Sequence, residues 1–153
     1  GGSYRKWYGN RENVMDFSVS GQLEMKKQSG FRPVSLDDQF RPSISWSDVT
    51  SDRNSFRANG GHSLFEHAGS CAFIADDNLL PLIAYLNSSA ASVMLKMINP
   101  TLNCNAGVVS RLPLLGLGEE GRISSMAELA IELSKTDWDL LETSWDFKRS
   151  PLV

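Results

Sequence analysis

The stretch "DNLLPLIAYLNSSAASVMLKMINP", residues 77–100, decides how the chain is read. Its apolar residues recur at helical spacing: Leu79, Leu82, Ile83 and Leu86 share one face, as residues three and four apart do. Asp77 and Asn78 suit a helix start, and Pro81 is tolerable in a first turn, where its missing N–H matters little. Asn87-Ser88 interrupts the run and can cap a second helix carrying Ala91, Met94, Leu95 and Ile98, because their side chains accept from the orphan N–H groups of a first turn. Asn99-Pro100 should end that helix, since proline disfavours helical geometry in the residue before it.

The chain changes character near residue 78. Upstream lie short candidate strands at 4–8, 14–19, 22–26, 44–49, 55–58 and 71–75, separated by Gly, Ser, Asn and Asp. Leu23 and Met25 alternate with Gln22, Glu24 and Lys26, the period of a half-buried strand, and Ser20-Gly21 reads as a tight hairpin turn. Downstream, Ser125-Met126-Ala127-Glu128 matches a capping box, so a helix is expected to begin there with Leu129, Leu133, Leu140 and Leu141 as its apolar side. Strands followed by helices indicate an α+β (mixed α/β) fold. The expected organisation is a single domain over 1–153, with 1–78 mostly strands and loops and 79–153 mostly helices.

A chain of 153 residues is long enough to bury a core without staples. Hydrophobic residues make up 41% and charged residues 22%, which excludes a disordered reading. Cys71 and Cys104 form neither a disulfide framework nor a zinc motif. Neither a spanning apolar run nor a signal-peptide start is visible, so a soluble, cytoplasmic protein without membrane contact is expected. The net charge of −3 excludes a general polyanion binder. Residues 1–60 nevertheless carry nine Lys/Arg against seven Asp/Glu, and residues 61–153 carry six against eleven. The N-terminal half is the one suited to phosphate.

Several motifs fail on chemistry. Gly116-Leu-Gly118-Glu-Glu-Gly121 has the spacing of a dinucleotide loop, but Glu119 and Glu120 would set two anions against the pyrophosphate. Asn99-Pro100-Thr101-Leu102 resembles an amino-methyltransferase loop but lacks the aromatic that stacks on an extruded base. Asp16, Glu24 and Lys26 loosely fit the acids and lysine of a metal-dependent nuclease, a lesser alternative. His62 and His67 lie in a glycine-rich stretch without metal-ligand spacing. No catalytic centre, metal site or cofactor site is expected in the chain.

Three segments take the reading further. "YRKWYGN" (residues 4–10), "ISWSDVTSDRNSFRANGG" (44–61) and "LIAYLNSSAASVMLKMINPTLNCNAGVVSRLPL" (82–114) occur in this order, and "SKTDWDLLETSWDFKRSPL" (134–152) closes the chain. Together they resemble BREX-type (PglX-like) adenine-specific DNA methyltransferases, over nearly the whole chain but only part of such an enzyme. The stretch between Asn13 and Val34 departs from that pattern. The resemblance implies a target recognition (specificity) domain, related in outline to those of TaqI-like methyltransferases and type I restriction specificity subunits. The S-adenosylmethionine-binding catalytic domain would lie upstream of Gly1. It further implies double-stranded DNA as partner, the upstream domain in cis, other phage-defence subunits, and no catalysis by this chain alone. An interaction or structural module of the same enzyme is the alternative.

On that reading, Arg5, Lys6 and Arg11, flanking Trp7 and Tyr8, are candidate phosphate contacts. Ser47, Ser51, Arg53, Asn54, Ser55 and Arg57 form a candidate DNA-reading loop. Trp46 is expected to anchor the sheet from below and residues 82–114 to be scaffold, with Lys96 and Arg111 its only obvious phosphate contacts. The acidic, aromatic tail around Trp138, Trp145 and Phe147 is expected to pack back onto the domain or, in the intact enzyme, to bridge to the next one.

Overall fold

The computed structural model describes residues 3–31, 36–50, 53–65, 69–74, 76–114 and 120–151. Within them the order is α1 (Val19–Lys27), a 3-10 turn (Leu36–Asp38), β1 (Ser43–Ser45), β2 (Arg57–Asn59), β3 (Cys71–Phe73), α2 (Asp76–Leu86), α3 (Ser89–Ile98), α4 (Ala106–Val109) and α5 (Glu120–Asp139). A three-stranded antiparallel sheet, ordered β2-β1-β3, precedes the main helices, which is the α+β class expected.

Local chemistry explains most element ends. Ser88 caps α3 by accepting from Ala91 N–H at 3.1 Å, and Asn99 terminates it. Asn105 caps α4 through Val108 N–H. Pro81 falls at the sixth residue of α2 rather than in a first turn, and its fully buried ring offsets the hydrogen bond it cannot donate.

Three expectations are corrected. Residues 22–26 are helical, not a strand, and Ser20-Gly21 lies inside α1. Ser18 Oγ accepts from Gly21 N–H at 3.1 Å, and the segment buries no residue. With no partner strand, the helix-forming Leu23, Glu24, Met25 and two lysines decide. Residues 4–8 and 14–19 form no strand; Trp7 makes an isolated parallel bridge to Arg57, and Val19 opens α1. Finally, α5 begins five residues before Ser125, whose Oγ donates back to Gly121 O instead of capping. Its inward face is Ala127, Ile131, Ser134 and Trp138, while Leu129, Leu133, Leu140 and Leu141 are exposed. Close packing of α5 against α2 selects the small Ala127, 1% exposed, over the leucines.

Register gives the sheet two unlike faces. Ile44, Ala58 and Ala72 are partners across it, and all three belong to the core with Trp46, Phe56, Ile83, Leu86, Leu95 and Leu112. Trp46 anchors the sheet as expected: its Nε1 donates to Cys104 O at 2.6 Å, and its ring tilts against Phe56 at 5.5 Å. Asn87 ties α2 to the strand layer. Its side chain accepts from Phe56 N–H at 3.1 Å and donates to Phe56 O at 2.9 Å, a mimic of strand pairing.

The opening segment is a fastener. Trp7 N–H donates to Phe56 O and Ala58 N–H to Trp7 O, each at 2.9 Å. Ser134 Oγ on α5 reaches Lys6 O and Tyr8 O, so residues 4–10 clamp the sheet edge to α5. Among the described residues no single helix is long and apolar enough to cross a membrane. Helices α2 and α3 meet that test only together, and they are bent by 67°.

Candidate functional site

The opposite sheet face is the floor of a cleft of about 740 Å³. Ser43, Asn59 and Phe73 are cross-strand partners, as are Ser45, Arg57 and Cys71, and all six line the cleft. Walls come from residues around Asn10 to Phe17, from Phe40 and Arg41, from His62 to Phe65, and from Trp145. Among the described residues, Arg11, Arg41 and Arg57 line this space against one carboxylate, Asp146. In a chain of net charge −3, that gathers cations and amides on one concave surface.

Each cation is held differently. Arg57 is 5% exposed; it donates to Arg5 O at 3.3 Å, Ser55 Oγ at 3.1 Å and Ser47 Oγ at 3.4 Å. Burial pulls its pKa down, with a smaller opposing effect of Cys71, though a guanidinium stays charged. Arg11 donates to Tyr8 Oη at 3.1 Å and Ser63 Oγ at 3.2 Å and lies over the Tyr8 ring. Arg41 pairs with Asp38 at 3.0 Å and covers Phe73. Asp146 is engaged by Lys135 at 3.2 Å. Burial pushes the Cys71 thiol up to about 11, against the opposing effects of Ser43 and Arg57, so it is no nucleophile at neutral pH.

Aromatic rings furnish the rest of the wall. Phe17 and Phe40 meet edge to face at 5.3 Å, as do Phe65 and Phe73 at 5.2 Å. Phe40 has φ +60, an uncommon conformation for a bulky residue. Trp145 is 70% exposed, so the tail packs back through Trp138 and Ser144, both buried, while Trp145 stays open to the cleft.

Of the candidate DNA contacts among the described residues, Arg11 and Arg57 line this cleft. Arg5 is ion-paired with Asp137 and lies over Trp138. Lys6 Nζ donates to Asn87 O at 2.7 Å. Ser47 and Ser55 are buried beside Arg57. Arg53 is exposed and Asn54 half-buried. Ser51 lies outside the described residues, as do His67, Gly116 and Gly118. Asp16 accepts from Ser18 N–H and Glu24 pairs with Lys27; among the described residues no group of three His, Cys, Asp or Glu could hold a metal.

The chain is similar to part of two adenine-specific methyltransferases. It is 31% identical over its whole length to the adenine-specific methyltransferase BrxX of Escherichia coli O9:H4 (strain HS). It is 32% identical, again over its whole length, to the adenine-specific methyltransferase PglX of Lacticaseibacillus casei (strain Zhang). The chain spans about an eighth of those proteins, 12% and 13% of their lengths. No family model matches it.

Sequence reasoning passed over Ser43, Ser45, Asn59 and Phe73. Their signal was present as alternation: each sits two positions from a cleft partner and beside Ile44, Ala58 or Ala72. What spacing could not carry was that all three strands present the same parity to one cleft.

Proposed function

We propose that the chain is the DNA recognition module of an adenine-specific, S-adenosylmethionine-dependent methyltransferase of a BREX-type phage-defence system. In this reading it does no chemistry. A methyltransferase domain elsewhere in the same protein holds S-adenosylmethionine, and this module positions double-stranded DNA. The cleft carries the proposal: among the described residues three arginines, Arg57 on the sheet floor and Arg11 and Arg41 on the walls, stand against one carboxylate, in a chain of net charge −3. Full-length similarity to two adenine-specific methyltransferases supports it.

Arg11 and Arg41 on the walls suit phosphate oxygens, since a guanidinium has five donors and the contacts above use only some. Asn10, Asn13 and Asn59 offer donors and acceptors to base edges. Arg53 and Asn54 extend the candidate surface beyond the cleft, whereas Arg5, Lys6, Ser47 and Ser55 act through the scaffold that holds Arg57 and Tyr8. The test is titration of a labelled duplex across a salt series. Binding should weaken with salt, and Arg11→Ala and Arg41→Ala should each lower the salt slope by about one. Absence of binding at low salt would refute the proposal.

One observation favours a second reading, an interaction module of the same enzyme that holds other subunits. Met126, Leu129 and Leu133 are 65%, 56% and 62% exposed along α5, an apolar stripe of the kind that marks contact surfaces when it is contiguous. A chain that binds no duplex yet self-associates through this stripe would turn the balance that way.

A further inference from the structure

We propose that Arg57 is an anion anchor: the cleft floor takes one phosphate group, with a planar base laid on the aromatic wall beside it. The guanidinium is 5% exposed, yet its partners are a carbonyl and two hydroxyls, and no carboxylate among the described residues pairs with it. Buried charges are ordinarily compensated. Arg5, with a side chain 20% exposed, has Asp137; Arg57, more deeply buried, has none among the described residues. It nonetheless borders open space, and Arg11 and Arg41 border the same space. Among the described residues the one carboxylate there, Asp146, already faces Lys135.

Convergent guanidinium groups suit a tetrahedral oxyanion, because their planar forks bind its oxygens in pairs. The walls specify the remainder of the ligand. Phe40, 45% exposed and held at φ +60, and Trp145, 70% exposed, present ring faces on which a base can stack. Strain in a bulky residue is sustained where surrounding structure imposes it, commonly at binding sites. Asn59 and Ser43, adjacent on the floor, supply polar atoms for a base edge. The volume, about 740 Å³, lies in the range of small-molecule sites. The site is argued from Arg57 itself; in naming DNA as the source of the nucleotide unit it rests on the function proposed above.

Cys71 lines the cleft and is paired across the sheet with Ser45, whose other partner is Arg57. Its alkylation by iodoacetamide therefore reports occupancy, while Cys104, 3% exposed and outside the lining, is the internal reference. At about pH 9, where some thiolate is present, adenosine 5′-monophosphate at roughly millimolar concentration should slow Cys71 severalfold relative to Cys104. Inorganic phosphate should do so more weakly and adenosine not at all. Arg57→Lys, which keeps the charge and loses the fork, should weaken protection about tenfold; the comparison of monophosphate with adenosine needs no variant. Equal protection by adenosine, or none by monophosphate and phosphate, overturns the anchor. If duplex DNA also protects Cys71, the anchor holds and DNA is its source. If monophosphate protects and duplex neither binds nor protects, the anchor holds while the DNA reading fails. If duplex binds and nothing protects Cys71, the anchor fails while the DNA reading survives.

Discussion

Replacing Asn87 with alanine should destabilise the domain more than any other single polar substitution distant from the cleft. Phe56 is fully buried, and the acceptor for its N–H is the Asn87 side chain at 3.1 Å. Truncation leaves that donor stranded, at roughly 1–3 kcal/mol for a buried unsatisfied group. Phe56 O also loses the amide, but keeps the Trp7 N–H at 2.9 Å, so this loss adds only about 0.5–1 kcal/mol. The sum is roughly 1.5–4 kcal/mol. With a urea slope of about 2 kcal/mol per molar, the midpoint should fall by about 1–2 M with the slope unchanged. Asn87→Asp sharpens the test. It keeps an acceptor for Phe56 N–H but sets a carboxylate against Phe56 O, and burial raises its pKa. A group whose pKa is raised by folding favours the folded state below its unfolded value, so this variant should regain stability relative to the parent as pH falls toward 4. A destabilisation of Asn87→Ala below about 0.5 kcal/mol would refute the claim that this amide joins helix to sheet.

Gly9 has φ +120, and a Cβ there would lie 2.5 Å from Arg5 Cδ and 2.9 Å from Trp138 Cε3; Gly9→Ala should cost roughly 2–4 kcal/mol, read by thermal unfolding. On α5, Leu129→Ala and Leu133→Ala should each change stability by less than about 0.5 kcal/mol, while Ala127→Leu, on the buried face, should cost about 1–3 kcal/mol through overpacking. Both thiols sit at about 11 rather than 9.0, burial being the main cause, so near pH 8 native thiolate is about 100-fold scarcer and disulfide-reagent labelling should be slow until denaturant is added. The same shifts mean that the neutral thiols favour the fold below pH 9 and that this contribution is lost as pH rises toward 11, which an alkaline unfolding series would read.

How far the residues announced this structure varies with how local the cause is. Ser88 and Asn99 were readable because a cap acts on groups three or four residues away. The strands near residues 44, 57 and 72 were readable as short runs set off by Gly, Ser, Asn and Asp. Segment 22–26 misled because Leu23 and Met25 alternate, but alternation has meaning only where a partner strand exists, and α1 buries nothing. In α5 the leucines outweigh Ala127 and Ser134 in hydrophobicity, yet the contacts with α2 and with the carbonyls of Lys6 and Tyr8 admit only small side chains. The cleft was half legible. Arg11 and Arg57 stood out as cations in a basic half, but Arg57's burial depends on Arg5 and Ser47 arriving from elsewhere in the chain to join the neighbouring Ser55. Phe40 and Trp145, from distant segments, gave no local sign that they share a surface.

The central claim, that the open sheet face is where DNA is met, is tested most directly by mapping the contact. The isotope-labelled chain would be titrated with duplex DNA and followed by two-dimensional NMR, using backbone amides and the four tryptophan indoles. Shifts should concentrate on residues 10–17 and 41–45 and on the Trp145 indole, leaving Trp7 and the outer face of α5 unmoved. Shifts confined to Met126, Leu129 and Leu133, or none at low salt, would contradict the account.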